Sequence, residues 1–256
     1  MTIIDCIKIR DRILKNIYPE HFRGKSLLAI VKEDNAANRS YLKSIRRMAD
    51  GYGLPVEVYH PDPAYYVEEI RRLLYVRPSG TCVLLVGFDN NDAKHIPVKC
   101  NKVSAGKKFL DNASRPDVVY AVLEVLSELD MFGNPPKRTA IIGRSRNAKS
   151  LNNALVMRNH TTTMVHTKTV DMESVLREAD LIVSFAGSPN LIKSDMVKDF
   201  ATVISVGCNV LDGKLCGDID IDSFSDRNVT ITPTPGGIGP ICTAVLFRDI
   251  ARWGGK

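Results

Sequence analysis

Ala140-Ile141-Ile142-Gly143-Arg144-Ser145-Arg146-Asn147-Ala148-Lys149-Ser150 is the stretch on which the reading of this 256-residue chain turns. Apolar residues run into a glycine, and the polar residues after it open a helical pattern, so a buried strand becomes a helix there. Such a turn aims backbone N–H groups and the positive end of the helix at an anion, above all a pyrophosphate. Only Gly143 of a G-x-G-x-x-G pattern is kept, with Ser145 and Ala148 in the other glycine positions, and an ordinary βα turn would leave the same trace.

Reading forward, strands are expected at Thr139 to Ile142, Thr162 to His166, Leu181 to Phe185, Thr202 to Val206 and Val229 to Thr232, with helices between the first four. Reading backward, a helix at Cys6 to Tyr18 precedes a βαβαβ series. That series is Ser26 to Val31, a helix from about Asn38 to Tyr52, Val56 to His60, a helix Ala64 to Tyr75, and Thr81 to Val86. Lys94 to Ser114 has no clear period, and Pro116 opens a helix through Leu129. Strands alternating with helices define an α/β protein with parallel sheets.

Gly133-Asn134-Pro135-Pro136 breaks both helix and strand, so two domains are expected. Residues 1–133 plus 240–256 form an N-terminal α/β substrate domain, to which the closing helix from Pro240 to about Trp253 returns. Residues 134–239 form a Rossmann-like cofactor domain with a parallel sheet.

The end of the second strand of that cofactor domain is informative. An NAD site places Asp or Glu there to accept from the ribose hydroxyls, whereas this chain has His166-Thr167-Lys168-Thr169. A carboxylate would repel a 2′-phosphate; hydroxyl and cationic groups accept it, and Arg144 can add a charge-assisted donor. The cofactor expected is therefore NADP. The plain alternative is that Lys168 and Arg144 are solvated surface charges.

A net charge of +6 and a pI near 9.0 favour anionic partners, which a nucleotide or an acidic small substrate satisfies as well as nucleic acid does. The densest basic stretch, Lys94 to Lys108, holds no aromatic residue, which argues against nucleic acid. The apolar runs fall far short of the ~18 residues of a membrane span, and the N-terminus MTIIDCIKIR lacks a signal peptide's apolar centre, so the cytoplasm is expected. Six scattered cysteines form no CxxC pair, so no metal is expected, and they read as buried thiols.

Thr232-Pro233-Thr234-Pro235-Gly236-Gly237-Ile238-Gly239-Pro240 is a rigid turn almost without side chains, able to bring backbone groups close to flat rings. It is similar to the TPxPGGVGP motif of the bifunctional methylenetetrahydrofolate dehydrogenase/cyclohydrolase family. Gly143-Arg144-Ser145, Val165-His166-Thr167-Lys168-Thr169, Ala179 to Val183 with Gly187 and Pro189, and Gly213-Lys214 with Gly217-Asp218 follow in that family's order. The resemblance implies cofactor contacts at Gly143, Arg144, Ser145, Thr167, Lys168, Gly187 and Pro189, with Arg144 and Thr167 selecting NADP. It implies substrate contacts at Pro235, Gly236, Gly237, Ile238 and Gly239, and a homodimer. Arg146 and Lys149 add charge beside the pyrophosphate loop, although Lys149 stands where the family has glycine.

The first domain resembles the family more faintly. Asn35-Ala36-Ala37-Asn38-Arg39-Ser40-Tyr41 is similar to DPASxxY, which leads into a helix carrying Tyr-x-x-x-Lys. Tyr41 matches the tyrosine, implying a catalytic and substrate-binding role, but Ile45 stands where the family has the lysine of cyclohydrolase chemistry. Lys43 is turned to nearly the opposite helix face, and Ile45 continues an apolar stripe, as core or as a pocket wall. Gly87-Phe88-Asp89-Asn90-Asn91 replaces the family's QLPLP, and KDVDG has no counterpart between Asp92 and Gly106. The expectation is an NADP-dependent oxidoreductase of the methylenetetrahydrofolate dehydrogenase type with cyclohydrolase activity weak or absent. The alternative is a family relative acting on a non-folate substrate or serving as a regulatory or interaction module.

Overall fold

The computed structural model describes residues 1–88, 96, 108–109, 117–133, 137–211 and 213–253. It is α/β, as expected, and divides into two compact units: Ile13–Asp117 with Thr243–Lys256, and Met1–Arg12 with Val118–Cys242. Strand β1 (Thr2–Ile3) and helix α1 (Cys6–Leu14) open the chain, α1 ending short of Tyr18, ahead of Pro19.

The unit built on residues 13–117 contains β2 (Ser26–Val31), α2 (Ala36–Tyr52), β3 (Val56–Tyr59), α3 (Tyr66–Val76), β4 (Thr81–Val86) and β5 (Lys108–Phe109). Its sheet runs β3-β2-β4-β5, with every pair parallel. β2 and β4 are buried on both faces, which is why they read as unbroken apolar runs rather than as alternations. Leu27, Ala29 and Val31 pack with Leu42, Ile45 and Ala49 of α2, while Leu28 and Ile30 pack with Ile70 and Leu74 of α3.

Helix α2 is punctuated as its sequence demands. The Asn35 side chain accepts the Asn38 N–H at 2.9 Å, and Gly53, at φ +64°, ends it in the left-handed conformation.

The second unit continues with α4 (Asp117–Glu128), β6 (Arg138–Ile142), α5 (Arg146–Val156), β7 (Thr161–Val165), α6 (Met172–Glu178) and β8 (Leu181–Ser184). After these come β9 (Thr202–Ser205), the hairpin β10 (Cys208–Leu211) and β11 (Lys214–Gly217), then β12 (Thr230–Ile231) and α7 (Ile238–Arg252). Six strands form one parallel sheet in the order β1-β12-β9-β8-β6-β7. β1 groups with this unit because its residues pair with Thr230 and Ile231. α1 and α4 are also tied together here: Arg12 reaches Glu124 at 3.1 Å and Glu128 at 3.2 Å. From Thr243 onward α7 belongs to the first-described unit, where Leu246, Phe247 and Ile250 enter its core, as expected of the closing helix.

One expected element is absent. Between β8 and β9 the chain makes a three-residue 3-10 turn, Ser194–Met196, and no α-helix. Gly187 and Asn190 take positive φ (+61° and +54°) on either side of Pro189, which interrupts any helical path. The thiols also differ from expectation. Cys6, Cys82 and Cys242 are buried, Cys208 is exposed on the hairpin, Cys216 is half-buried, and Cys100 lies outside the described residues.

Candidate cofactor-binding site

After β6 the chain crosses to β7 on one side, and β8 then returns to β6 on its other side. The strand order therefore reverses at β6, the kind of switch point at which open α/β sheets bind ligands beyond the carboxyl ends of their strands. Gly143, at φ +117°, leaves β6 where an added Cβ would press on Phe185 at 3.3 Å; a side chain would crowd the two loops together.

Ser145 caps α5, its Oγ accepting the Ala148 N–H at 3.3 Å. The N–H groups of Arg146 and Asn147, in the first turn, have no intrahelical acceptor and point out of the helix end. Arg146 Nη2 is buried without a hydrogen-bond partner, an orphaned cationic donor at the same helix end. An anionic pyrophosphate matches this donor set. Arg144 and Ser145 are exposed beside it.

At the end of β7 the His166 N–H donates to Thr169 Oγ1 at 2.9 Å, the Thr169 N–H to the His166 carbonyl at 2.8 Å, and the Lys168 N–H to His166 Nδ1 at 3.1 Å. These bonds close a tight turn that presents the exposed side chains of Thr167 and Lys168, with no carboxylate within it.

The loops after β8, β9, β11 and β12 meet over a buried polar network. Asp218 has no exposed surface, and both its oxygens accept: Oδ2 from Ser184 Oγ at 2.6 Å, Oδ1 from the Ser188 N–H at 2.9 Å. The Asp218 N–H donates to Ser205 Oγ at 2.9 Å, and Ser205 Oγ donates to the Gly207 carbonyl at 3.2 Å. The Ser205 N–H in turn reaches Thr232 Oγ1 at 2.9 Å. Backbone is packed tightly around this network: a Cβ on Gly207 would overlap the Asp218 carboxylate, and one on Gly237 would overlap the Pro233 carbonyl. Asn209 Nδ2, buried and unpartnered, lies 3.8 Å from where a Gly187 Cβ would stand.

Of the residues named from sequence, Gly143, Arg144, Ser145, Thr167, Lys168, Gly187, Pro189, Pro235, Gly236 and Gly237 lie on loops or turns after β6, β7, β8 and β12, and Ile238 and Gly239 open α7. Pro235 follows a cis peptide bond and is exposed with Gly236 and Gly239, while Gly237 and Ile238 are buried. Tyr41 lies in the other unit on α2, half-buried against its apolar core. Ile45, one turn on, is wholly buried, so of its two readings the structure selects core. Asp89 and Asp92 fall outside the described residues. The residues sequence reasoning missed are Asp218, noted only as part of a motif, and Asn209, for which no local signal exists.

A parallel sheet with a switch point, an open helix end and glycine-bearing strand exits defines a dinucleotide-binding α/β domain. Residues 116–254 match the family model for the tetrahydrofolate dehydrogenase/cyclohydrolase NAD(P)-binding domain, and the chain belongs to that family. It is 30% identical over 273 aligned positions to the bifunctional protein FolD of Thermotoga petrophila, covering 97% of each chain. It also resembles the solved FolD methylenetetrahydrofolate dehydrogenase/cyclohydrolase of Campylobacter jejuni, at a TM-score of 0.75 and 26% identity over 96% of this chain and 94% of that one. The Trypanosoma brucei enzyme, solved with NADP cofactor and inhibitor, shares the fold at a TM-score of 0.76 and 21% identity, covering 97% and 95%.

Proposed function

We propose that this protein is an NADP-dependent oxidoreductase acting on a folate-type one-carbon substrate, with dehydrogenase activity and little or no cyclohydrolase activity. The observation that carries the cofactor half is the turn after β7, where Thr167 and Lys168 stand exposed in place of a carboxylate. Arg144, exposed on the neighbouring loop, adds a cation for the same 2′-phosphate. The first turn of α5 and Arg146 would hold the pyrophosphate, and Gly187, Pro189 and the loop after β12 would take the nicotinamide half. When bound, NADP supplies the acceptor for a hydride.

The chain's own task in hydride transfer is orientation and electrostatics. Pro235 to Gly239 offer backbone to a flat ring, and Tyr41 offers a phenol on α2. Cyclohydrolysis further needs water activated and the one-carbon unit polarised. The position that would carry the lysine is Ile45, packed among Leu27, Leu42 and Ala49, and this supports a dehydrogenase-weighted reading.

Reduction of NADP by methylenetetrahydrofolate, followed spectrophotometrically with purified protein, is the direct test. No rate above background at high protein concentration, with NADPH binding intact, would favour the second reading of a non-folate substrate or a regulatory module. Gly87-Phe88 at the end of β4, where the family has QLPLP, is the feature on which that reading rests. A homodimer is the expected assembly, checked by sedimentation. Among the described residues no helix is long and apolar enough to cross a membrane.

A further inference from the structure

Asp218 is a fully buried carboxylate, and among the described residues no cation pairs with it. Burying a charge in that way is costly unless hydrogen bonds compensate it. Its bonds hold a loop rather than a core. Ser184 Oγ accepts the Ala186 N–H at 3.3 Å and so directs its own proton to Asp218, while Oδ1 takes the Ser188 N–H. The carboxylate therefore anchors the exit of β8, from Ala186 to Ser188, at two points.

The same group sits one backbone thickness below the end of β9, since Gly207 passes so close that no Cβ fits between them. Its field is felt at that surface. The Cys208 thiol, on a residue otherwise exposed on the hairpin, is pushed up first by partial burial of its sulfur and further by its neighbours Cys216 and Asp218.

These loops lie on the β8–β9 side of the switch point, opposite the β7 side where the adenosine half of a dinucleotide belongs. The nicotinamide half then falls on the Asp218 side. An oxidised nicotinamide ring carries a positive charge and the reduced ring carries none, so a fixed negative charge beneath this half distinguishes the two redox forms.

We propose that Asp218 is a positioning residue that holds the exit of β8 through Ser184 and Ser188 and, by its buried charge, favours the oxidised cofactor over the reduced one. The proposal rests on the NADP-binding reading above, and the experiment separates the two.

Dissociation constants for NADP⁺ and NADPH are measured by calorimetry on the full chain, for the unaltered protein, Asp218→Asn and Ser184→Ala. Binding by the unaltered protein tests the cofactor reading alone; no binding of either form overturns both. Asp218→Asn keeps the shape and removes the charge. It is expected to weaken NADP⁺ at least about threefold more than NADPH, a bias that a merely structural residue would not produce. Equal weakening of both forms, or no change, overturns the electrostatic role.

Ser184→Ala keeps the charge and removes one anchor, and is expected to weaken both forms about equally by roughly three- to tenfold. Unchanged affinity for both forms in this variant overturns the positioning role. Should Asp218→Asn not fold, the same calorimetry on the folded Ser184→Ala protein at low and high salt decides the electrostatic claim. A buried charge is screened little by salt, so the ratio of the two affinities is expected to stay constant, and a ratio that collapses in high salt overturns it.

Discussion

The two parallel sheets end differently at their carboxyl edges. In the sheet headed by β6 the exits carry Gly143, Gly187 and Gly236 at positive φ, a Ser145-capped helix end whose Arg146 and Asn147 N–H groups stay open, and a buried carboxylate tying one exit to the next. In the sheet headed by β2 the corresponding exit runs through Lys32 to Asp34 into α2, whose inward face is apolar from Leu42 through Ile45 to Ala49. One edge is organised to receive a ligand's backbone-close groups. The other has turned a position that carries chemistry in the family into core. Similar architecture thus supports a rim with a buried polar network in one unit and an apolar helix face in the other, because at the first the hydroxyls of Ser184, Ser205 and Thr232 satisfy buried polar groups.

The comparison breaks most readily at Ile45. Ile45→Lys buries an ammonium where no surface is exposed, so a loss of roughly 3 kcal/mol or more is expected in urea unfolding, without new cyclohydrolase activity. A stable variant that hydrolyses methenyltetrahydrofolate would show this face to be an active-site wall. Next comes Gly237→Ala, whose added methyl meets the Pro233 carbonyl, a backbone atom that cannot swing away. Destabilisation of roughly 1–3 kcal/mol is expected, with weakened NADPH binding. Full affinity in a protein of unchanged Tm would mean that the loop after β12 is looser than its packing indicates.

Arg144→Ala tests the phosphate clamp: NADPH should weaken about five- to tenfold and NADH hardly at all. Equal weakening would move Arg144 from the 2′-phosphate to a general role. The smallest effect concerns His160, buried at the start of β7 with Nδ1 3.0 Å from Thr139 Oγ1. Burial lowers its pKa from the ordinary 6.5, so on acidification the unfolded chain binds the proton first. The stability this contributes is complete above about 6.5 and is lost as pH falls through the lower folded-state value. Tm should therefore decline between neutral pH and pH ~5, and His160→Gln should flatten that slope. A slope identical in both proteins would assign acid sensitivity elsewhere.

Legibility followed the range of the forces involved. The turn from Thr232 to Gly239 was readable because proline and glycine restrict or free the backbone by themselves. Buried strands β2, β4 and β8 were readable from their apolar runs. The helix expected between β8 and β9 failed because the path from Gly187 to Asn190 depends on bonds to Gly217 and Asp218, about thirty residues away: the Asn190 N–H reaches the Gly217 carbonyl at 3.2 Å. Strand β1 was missed because two residues carry no period, and its only warrant is pairing with Thr230 and Ile231.

The sequence by itself determined the α/β class, the glycine-bearing exit of β6, the absence of an acid after His166 and the replacement of a lysine by Ile45. The first three are properties of residue type and local spacing, and the fourth comes from the resemblance to the family's motif. Only the tertiary structure decided that Ile45 is core and that Asp218 is the centre of a network. Burial and hydrogen bonding between Ser184, Ser188, Ser205 and Asp218 exist only once β8, β9 and β11 have been brought together.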